Sequence, residues 1–282
     1  MQIHQINLQD PEYPFALTQI SAPPKQLYVL GDLPKGDYVA IVGTRSYTEY
    51  GKAITYELAF ELAKAGLVIV SGLALGIDGA AHQAALDAGG KTVAVLAGGL
   101  DHIYPSTHRE LAKSILAHGG ALISEYPAGI PTYKSQFVAR NRIVVGLSLG
   151  TIITESAAQG GAMHSAHFTL DANRILMAVP GDINQRRSAG PNNLIHEGAV
   201  PIRSSSDVLH ALNITANVPL AIVSARNPHE ERILTHLQEG HRKTDQLIEA
   251  TGLSAAEFAS VISLMEITGK VRNLGAGVWA HR

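Results

Sequence analysis

The chain has 282 residues, 46% of them hydrophobic, with a formal charge of -2 and no cysteine. Its length suits one large domain plus a small appendage. Near-neutrality excludes a bulk polyanion binder, and the missing thiols exclude disulfides, thiolate zinc sites and cysteine nucleophiles.

The opening residues, MQIHQINLQD, lack the basic start and apolar core of a signal peptide. No apolar run approaches the roughly 20 residues needed to cross a bilayer, so a cytoplasmic protein with no membrane contact is expected. Residues 1–36 read as a short entry segment: a helix-like PEYPFALTQI, a turn at Pro23 and Pro24, and a strand QLYVLG.

From Asp37 to about Leu212 one device recurs. Apolar runs such as YVAIVG, GLVIVSG, TVAVLAGG, ALISE and GTIITE break at Gly, Ser or an acidic residue, and helical patterns follow at 47–65, 77–88, 106–118, 136–148 and 161–173. This predicts a wound parallel sheet, whose strand ends gather ligand-binding loops at one edge.

Gly43-Thr44-Arg45-Ser46 follows the first such strand and opens a helix, where backbone N–H groups beside a guanidinium suit a phosphate. A plain turn with a surface arginine is the alternative. The run GTRSYTEYGKA is no Walker A loop, since the spacing to Gly51-Lys52 is too long and Ala53 stands where a hydroxyl would hold magnesium. The next break, with Gly72, Ala74 and Gly76, lacks the dinucleotide spacing and predicts no nicotinamide or flavin cofactor. Asp78 is expected to cap the following helix, and His82 to be a packed or surface histidine.

The densest cluster is YKSQFVARNRIVVG, with Lys134, Phe137, Arg140, Asn141 and Arg142. Ser135 is a candidate cap, and Phe137 and Arg140 share a helical face. An aromatic beside cations suits stacking on a base while phosphates are neutralised; a solvated charged face with Phe137 turned inward is the alternative. Gly160, Gly161 and Ala162 open another helix. There, His164 and His167 are a possible metal pair without an evident third ligand, so no metal is expected. A last loop, from Pro180 to Asn193, carries Arg186 and Arg187 and is placed to close over a ligand.

Residues 213–228 read as a linker ending at Asn-Pro. From His229 three helical patterns and a hairpin, with turn glycines Gly275 and Gly277, read as a winged helix over 229–282. Its third helix, 254–269, contains Glu257 and Glu266 and no Lys or Arg, while Lys270, Arg272 and Arg282 fall in the wing and tail. From Pro228 onward six Lys/Arg face seven Asp/Glu, which favours partner contact or packing over reading a DNA groove.

Together GTR at 43–45, SGLALGID at 71–78, KSQFVARNRI at 134–143, GGAMHSA at 160–166, VPG at 179–181, PNNLI at 191–195 and the terminal winged-helix pattern resemble the DNA-processing family called DprA or Smf. The resemblance implies an extended Rossmann-like domain over 37–212, a non-enzymatic single-stranded DNA binder that dimerises, protects incoming DNA in natural transformation and loads the RecA recombinase. Carried over, Arg45 and Lys134 are the principal phosphate contacts and Phe137 stacks a base. Arg140, Asn141 and Arg142 support that pocket. Gly43, Thr44, Ser46, Gly72, Ala74, Gly76, Gly161, Ala162 and His167 complete the expected binding set.

The helical domain that many members carry ahead of the entry segment is not expected here. His167 also stands about where many carry a basic residue, which weakens one phosphate contact. An alternative reading is a phosphoribohydrolase-like enzyme using Asp78, Asp101, Glu125 and Glu155, all near predicted strand or helix ends. It needs two of these carboxylates to converge on a glycosidic bond.

Overall fold

A computed structural model describes residues 2–214, 227–267, 270–273 and 277–281. The chain divides into two compact units, residues 1–216 and 217–282. Most of the expected linker, the wing glycine Gly275 and the tail cation Arg282 lie outside the described residues.

The first unit is a nine-stranded sheet. In chain order its strands are β1 (His4–Asn7), β2 (Gln26–Gly31), β3 (Tyr38–Val42), β4 (Val68–Ser71), β5 (Thr92–Leu96), β6 (Ala121–Ser124), β7 (Gly150–Ile153), β8 (Ile175–Ala178) and β9 (Val200–Pro201). They lie in the order β1-β2-β6-β5-β4-β3-β7-β8-β9, and all pairings from β6 to β9 are parallel. The entry segment is part of this sheet: β2 pairs antiparallel with β6, and β1 with β2.

The helices are α1 (Phe15–Thr18), α2 (Glu49–Lys64), α3 (Ile77–Asp87), α4 (Arg109–Ala117), α5 (Lys134–Gly146), α6 (Ala162–Asp171), α7 (Ala189–His196) and α8 (Ser205–Ala211). Strand alternation sorts them into two layers. Ala40, Val42, Val68 and Val70 join Leu17 of α1, Ile143 and Val144 of α5 and Ala166 of α6 on one face. Val39, Ile41 and Ile69 join Leu58 and Leu62 of α2 and Ile77 and Ala81 of α3 on the other. A satellite cluster under α4 adds Ala112 and Ile115 to Leu96 and Leu122. Strands buried on both faces are what the unbroken apolar runs required. The architecture is a Rossmann-like, mostly parallel sheet between two helical layers.

The second unit has α9 (Pro228–Gln238), α10 (Thr244–Thr251), α11 (Ala255–Ile267) and a two-stranded wing, β10 (Val271–Asn273) with β11 (Trp279–His281). Its core gathers Ile233, Leu237, Leu247, Phe258, Ile262, Met265 and Trp279. This is a winged helix. Lys270, one of the cations at the wing, places its ammonium on the buried Glu230 carboxylate. Among the described residues no single helix is long and apolar enough to cross a membrane.

Candidate nucleic-acid interface

The chain runs from β3 outward through β4 and β5 to β6, then returns to place β7 on the other side of β3. The crevice between the carboxyl ends of β3 and β7 is therefore the switch point, where wound sheets commonly hold a ligand. Here that crevice is closed by the protein itself. The backbone oxygen of Glu155 accepts from Thr44 N at 2.7 Å, and its carboxylate accepts from Thr48 N at 2.9 Å and from the Thr48 hydroxyl. Glu155 is buried, and a Cβ at Gly51 would lie 2.1 Å from its Oε2, so Gly51 is glycine to leave room for this clasp. Thr48 in turn caps α2 by accepting from Gly51 N at 3.0 Å.

The open cleft lies one step away, above β4 and β5. It is lined by Arg45, Gly72, Ala74, Leu75, Leu96, Ala97, Gly98, His102, Tyr104, Pro105, Thr132, Phe137 and Arg140. At its mouth the Arg45 guanidinium sits 5.0 Å from the centre of the Phe137 ring, and Tyr104 meets the same ring edge-on at 5.6 Å. Arg45 is exposed, Phe137 half-buried and Tyr104 55% exposed, so an aromatic pair and a mobile-length cation share one solvent-facing rim. Gly76, at φ +85°, allows the Arg45 loop to approach: a Cβ there would stand 2.3 Å from Thr44 O.

The floor holds two buried charged side chains, Arg140 and Asp78, each bonded to the Gly72–Ala74 loop. Arg140 donates from Nη1 to Gly72 O at 2.5 Å and to Val95 O, and from Nε to Asn141 Oδ1 at 3.2 Å. Asp78 accepts from Gly72 N at 3.1 Å and Ala74 N at 3.4 Å, holding between them Leu73 in the left-handed region at φ 55°. Asp78 therefore does not cap α3, whose cap residue is Gly76; its carboxylate turns back to organise the preceding loop. Burial raises its pKa above the ordinary carboxylate value, and the charge of Arg140 opposes that shift. Burial likewise lowers Arg140 to about 10, against the pull of Asp78, which leaves it charged at neutral pH. A Cβ on Gly72 would lie 2.5 Å from the guanidinium carbon.

The expected binding set divides on this geometry. Arg45, Gly72, Ala74, Phe137 and Arg140 line one cleft. Lys134 is exposed at the first turn of α5, whose cap is Tyr133, not Ser135: the Gln136 side chain accepts from Tyr133 N at 2.5 Å. Arg140 and Arg142 are not free phosphate contacts as they stand, because one guanidinium is buried under the loop and the other pairs with Glu125 at 2.6 Å. Asn141 serves Arg140. Gly43 lies against Ile77 and Glu155, and Thr44 and Ser46 belong to the Arg45 loop. Gly161 and Ala162 start α6, the exposed His167 lies midway along it, and none of them lines the cleft.

Two features escape a reading by motif. Tyr104 and His102 reach the rim from the loop after β5, where the Gly98-Gly99 break was a signal of the same kind as the others. Arg187 donates from Nη2 to Ser46 Oγ at 2.8 Å, and Tyr50 donates to Pro180 O at 2.8 Å, so the loop after β8 is tied to the Arg45 loop.

The four carboxylates of the hydrolase reading do not converge. Asp78 and Glu155 hold loops, Glu125 pairs with Arg142, and Asp101 accepts from Gly129 N with both oxygens at 2.9 and 3.0 Å, which lowers its pKa.

Comparison with known proteins places this geometry. Residues 4–213 match the family model of DNA recombination-mediator protein A, and residues 220–277 match that of the DprA winged helix domain. The DNA processing protein DprA of Bacillus subtilis is 41% identical over 213 residues, which are 74% of this chain and 71% of its own. The X-ray structure of DNA processing protein A from Streptococcus pneumoniae is similar with a TM-score of 0.68 and 37% identity over 74% of each chain. DNA processing protein A from Helicobacter pylori, whose structure concerns its single-stranded DNA binding mode, gives a TM-score of 0.67 and 35% identity over 76% of this chain and 96% of its own.

Proposed function

Since the chain belongs to the DNA recombination-mediator protein A family, known as DprA or Smf, we propose that its cleft edge binds single-stranded DNA without catalysis. The observation that carries this is the cation and aromatic at one rim: Arg45 over Phe137, with Lys134 exposed on the same helix as that ring. A base stacks on Phe137 or Tyr104 while Arg45 and Lys134 take flanking phosphates, an arrangement indifferent to sequence. In the free protein Arg45 covers the ring, so DNA displaces the guanidinium from ring to phosphate. Arg140 and Asp78 act beneath, keeping the Gly72–Ala74 loop in shape, and the remaining expected residues, Gly161, Ala162 and His167 among them, extend the path.

Protection of incoming DNA in natural transformation, loading of RecA and formation of a homodimer are proposed with it, on the strength of family membership. The organisation proposed is an entry segment, the binding domain over 37–212, a linker over 213–228 and a winged helix that serves partner contact. The last point is supported by α11, on which Glu257 and Glu266 are exposed, and by the pairing of Lys270 with Glu230. Deleting 228–282 should alter a partner contact or the oligomeric state. The committed carboxylates support the non-enzymatic reading.

The test is fluorescence anisotropy with labelled oligo-dT and a matched duplex. Wild type is expected to prefer the single strand, with log K falling roughly 1.4 units per decade of salt for the two phosphates that Arg45 and Lys134 neutralise. Arg45→Ala/Lys134→Ala is expected to lose that binding; undiminished affinity in the double variant would remove the cleft edge from the mechanism.

A further inference from the structure

In the second unit, α9 ends in a turn whose side chains form a second polar cluster. Gly240, at φ +96°, donates to Leu237 O at 3.2 Å, and His241 N reaches back to His236 O at 3.0 Å. This paired termination brings the side chains three residues before and two after the cap residue together, usually as an apolar contact. In this chain both are imidazoles. Their rings meet edge-on at 5.6 Å, and the cap residue itself is Glu239, whose Oε2 lies 2.7 Å from His236 Nδ1. One ligand atom from each of His236, Glu239 and His241 lies within 4.8 Å of the other two. His241 Nδ1 is shielded from solvent and has no hydrogen-bond partner.

We propose that His236, Glu239 and His241 form a binding site for a zinc-class divalent cation. Two imidazoles and one carboxylate are a donor set for Zn²⁺ and its late first-row neighbours, whereas Mg²⁺ and Ca²⁺ want oxygen throughout. The Schellman turn preorganises all three donors on one helix end, so small side-chain movements bring them onto one ion. Glu239 is half-exposed, which leaves a coordination position for water. The orphaned His241 nitrogen is the second observation pointing to a ligand.

The ion would act on the wing. Directly after His241, Arg242 O accepts from Trp279 N at 2.8 Å, and Lys243 bridges Val278. Coordination ties the end of α9 to the segment that borders the wing strand, so metal stabilises the winged helix rather than the cleft.

The experiment uses the full chain, stripped with chelator. Calorimetric titration with Zn²⁺ is expected to show one tight equivalent, Mg²⁺ none, and Co²⁺ should develop the visible absorption of a low-coordinate site. His241→Ala and Glu239→Gln should each weaken Zn²⁺ by at least about tenfold and remove the Co²⁺ bands. Glu239→Gln changes an exposed side chain and keeps its shape, so it reads the site even where His241→Ala fails to fold. Absence of a tight equivalent, or the same affinity and bands in Glu239→Gln, would assign any zinc to other histidines and overturn the proposal.

Discussion

Arg45 and Phe137 stand 92 positions apart in the sequence, yet the guanidinium of one lies 5.0 Å from the ring centre of the other. The contact occupies the two groups that single-stranded DNA is proposed to use. An exposed contact of this kind is worth about 0.5–1 kcal/mol. If DNA breaks it, each single alanine variant recovers that cost, and the double variant recovers it only once. Arg45→Ala/Phe137→Ala should therefore lose more affinity than the sum of the single losses, by about 0.5–1 kcal/mol. Phe137→Ala alone should cost about 1–3 kcal/mol through lost stacking. Anisotropy on all four proteins measures the cycle; additivity or a smaller double loss means that Arg45 stays on the ring in the complex.

Arg140 is predicted to matter first for stability. Its substitution by Leu leaves Gly72 O and Val95 O without their Arg140 donor and removes the charge that opposes the desolvation of buried Asp78. Leaving a buried acceptor without its donor costs about 1–3 kcal/mol. Urea midpoints of Arg140→Leu and of Arg45→Ala distinguish the roles, since exposed Arg45 should leave the midpoint nearly unchanged.

His82 gives the first unit a dependence on acid. Thr92 donates its single hydroxyl proton to Ile69 O at 2.7 Å, so His82 Nδ1, 2.6 Å from that oxygen, must be the donor. Nε2 is then a bare lone pair, buried and without a partner. Burial lowers the histidine pKa from 6.5 to about 3. As pH falls below 6.5 the unfolded chain takes up a proton that the folded chain refuses until about pH 3, so stability declines through this window. The slope approaches about 1.4 kcal/mol per pH unit at most. His82→Asn retains a donor for Thr92 without a titrating ring. Its urea midpoint should fall less steeply than wild type between pH 6.5 and 5, and equal slopes would contradict the assignment.

Gly51→Ala should disturb the β3–β7 closure. Its new Cβ would stand 2.1 Å from Glu155 Oε2, so the buried carboxylate must shift and give up its hold on Thr48. Overpacking of this sort costs about 1–3 kcal/mol. Because Glu155 also holds Thr44 and Thr48 on either side of Arg45, single-strand affinity should drop with stability. A variant that loses stability but keeps full affinity would separate the clasp from the binding loop.

Much of the fold could be read because β3 to β8 are buried on both faces and therefore spell themselves as apolar runs. The entry strand β1 could not, since only Ile6 of HQIN is buried and the rest faces water. Of the expected contacts, Arg45 and Phe137 meet at one rim, and Lys134 is exposed on the helix that carries that ring. The burial of Arg140 is hidden by its company: among Lys134, Phe137 and Arg142 it resembles a surface cation. Yet Gln136, Arg140, Ile143 and Val144 fall on one helical stripe, and that stripe is buried. What holds it inward are the carbonyls of Gly72 and Val95, 68 and 45 positions earlier, which no local pattern announces. His236 and His241 were missed because the spacing crosses a helix end, where helical periodicity stops applying.

The Glu155 clasp has a bearing on what can compete for this protein. Wound sheets that leave the switch point open seat mononucleotides there, phosphate against the first helix. Here an internal carboxylate already holds the amide and hydroxyl that a free phosphate would seek, and its charge repels one. Loose nucleotides therefore find no seat between β3 and β7. The strand proposed to bind at the neighbouring rim would therefore meet no competition from them there.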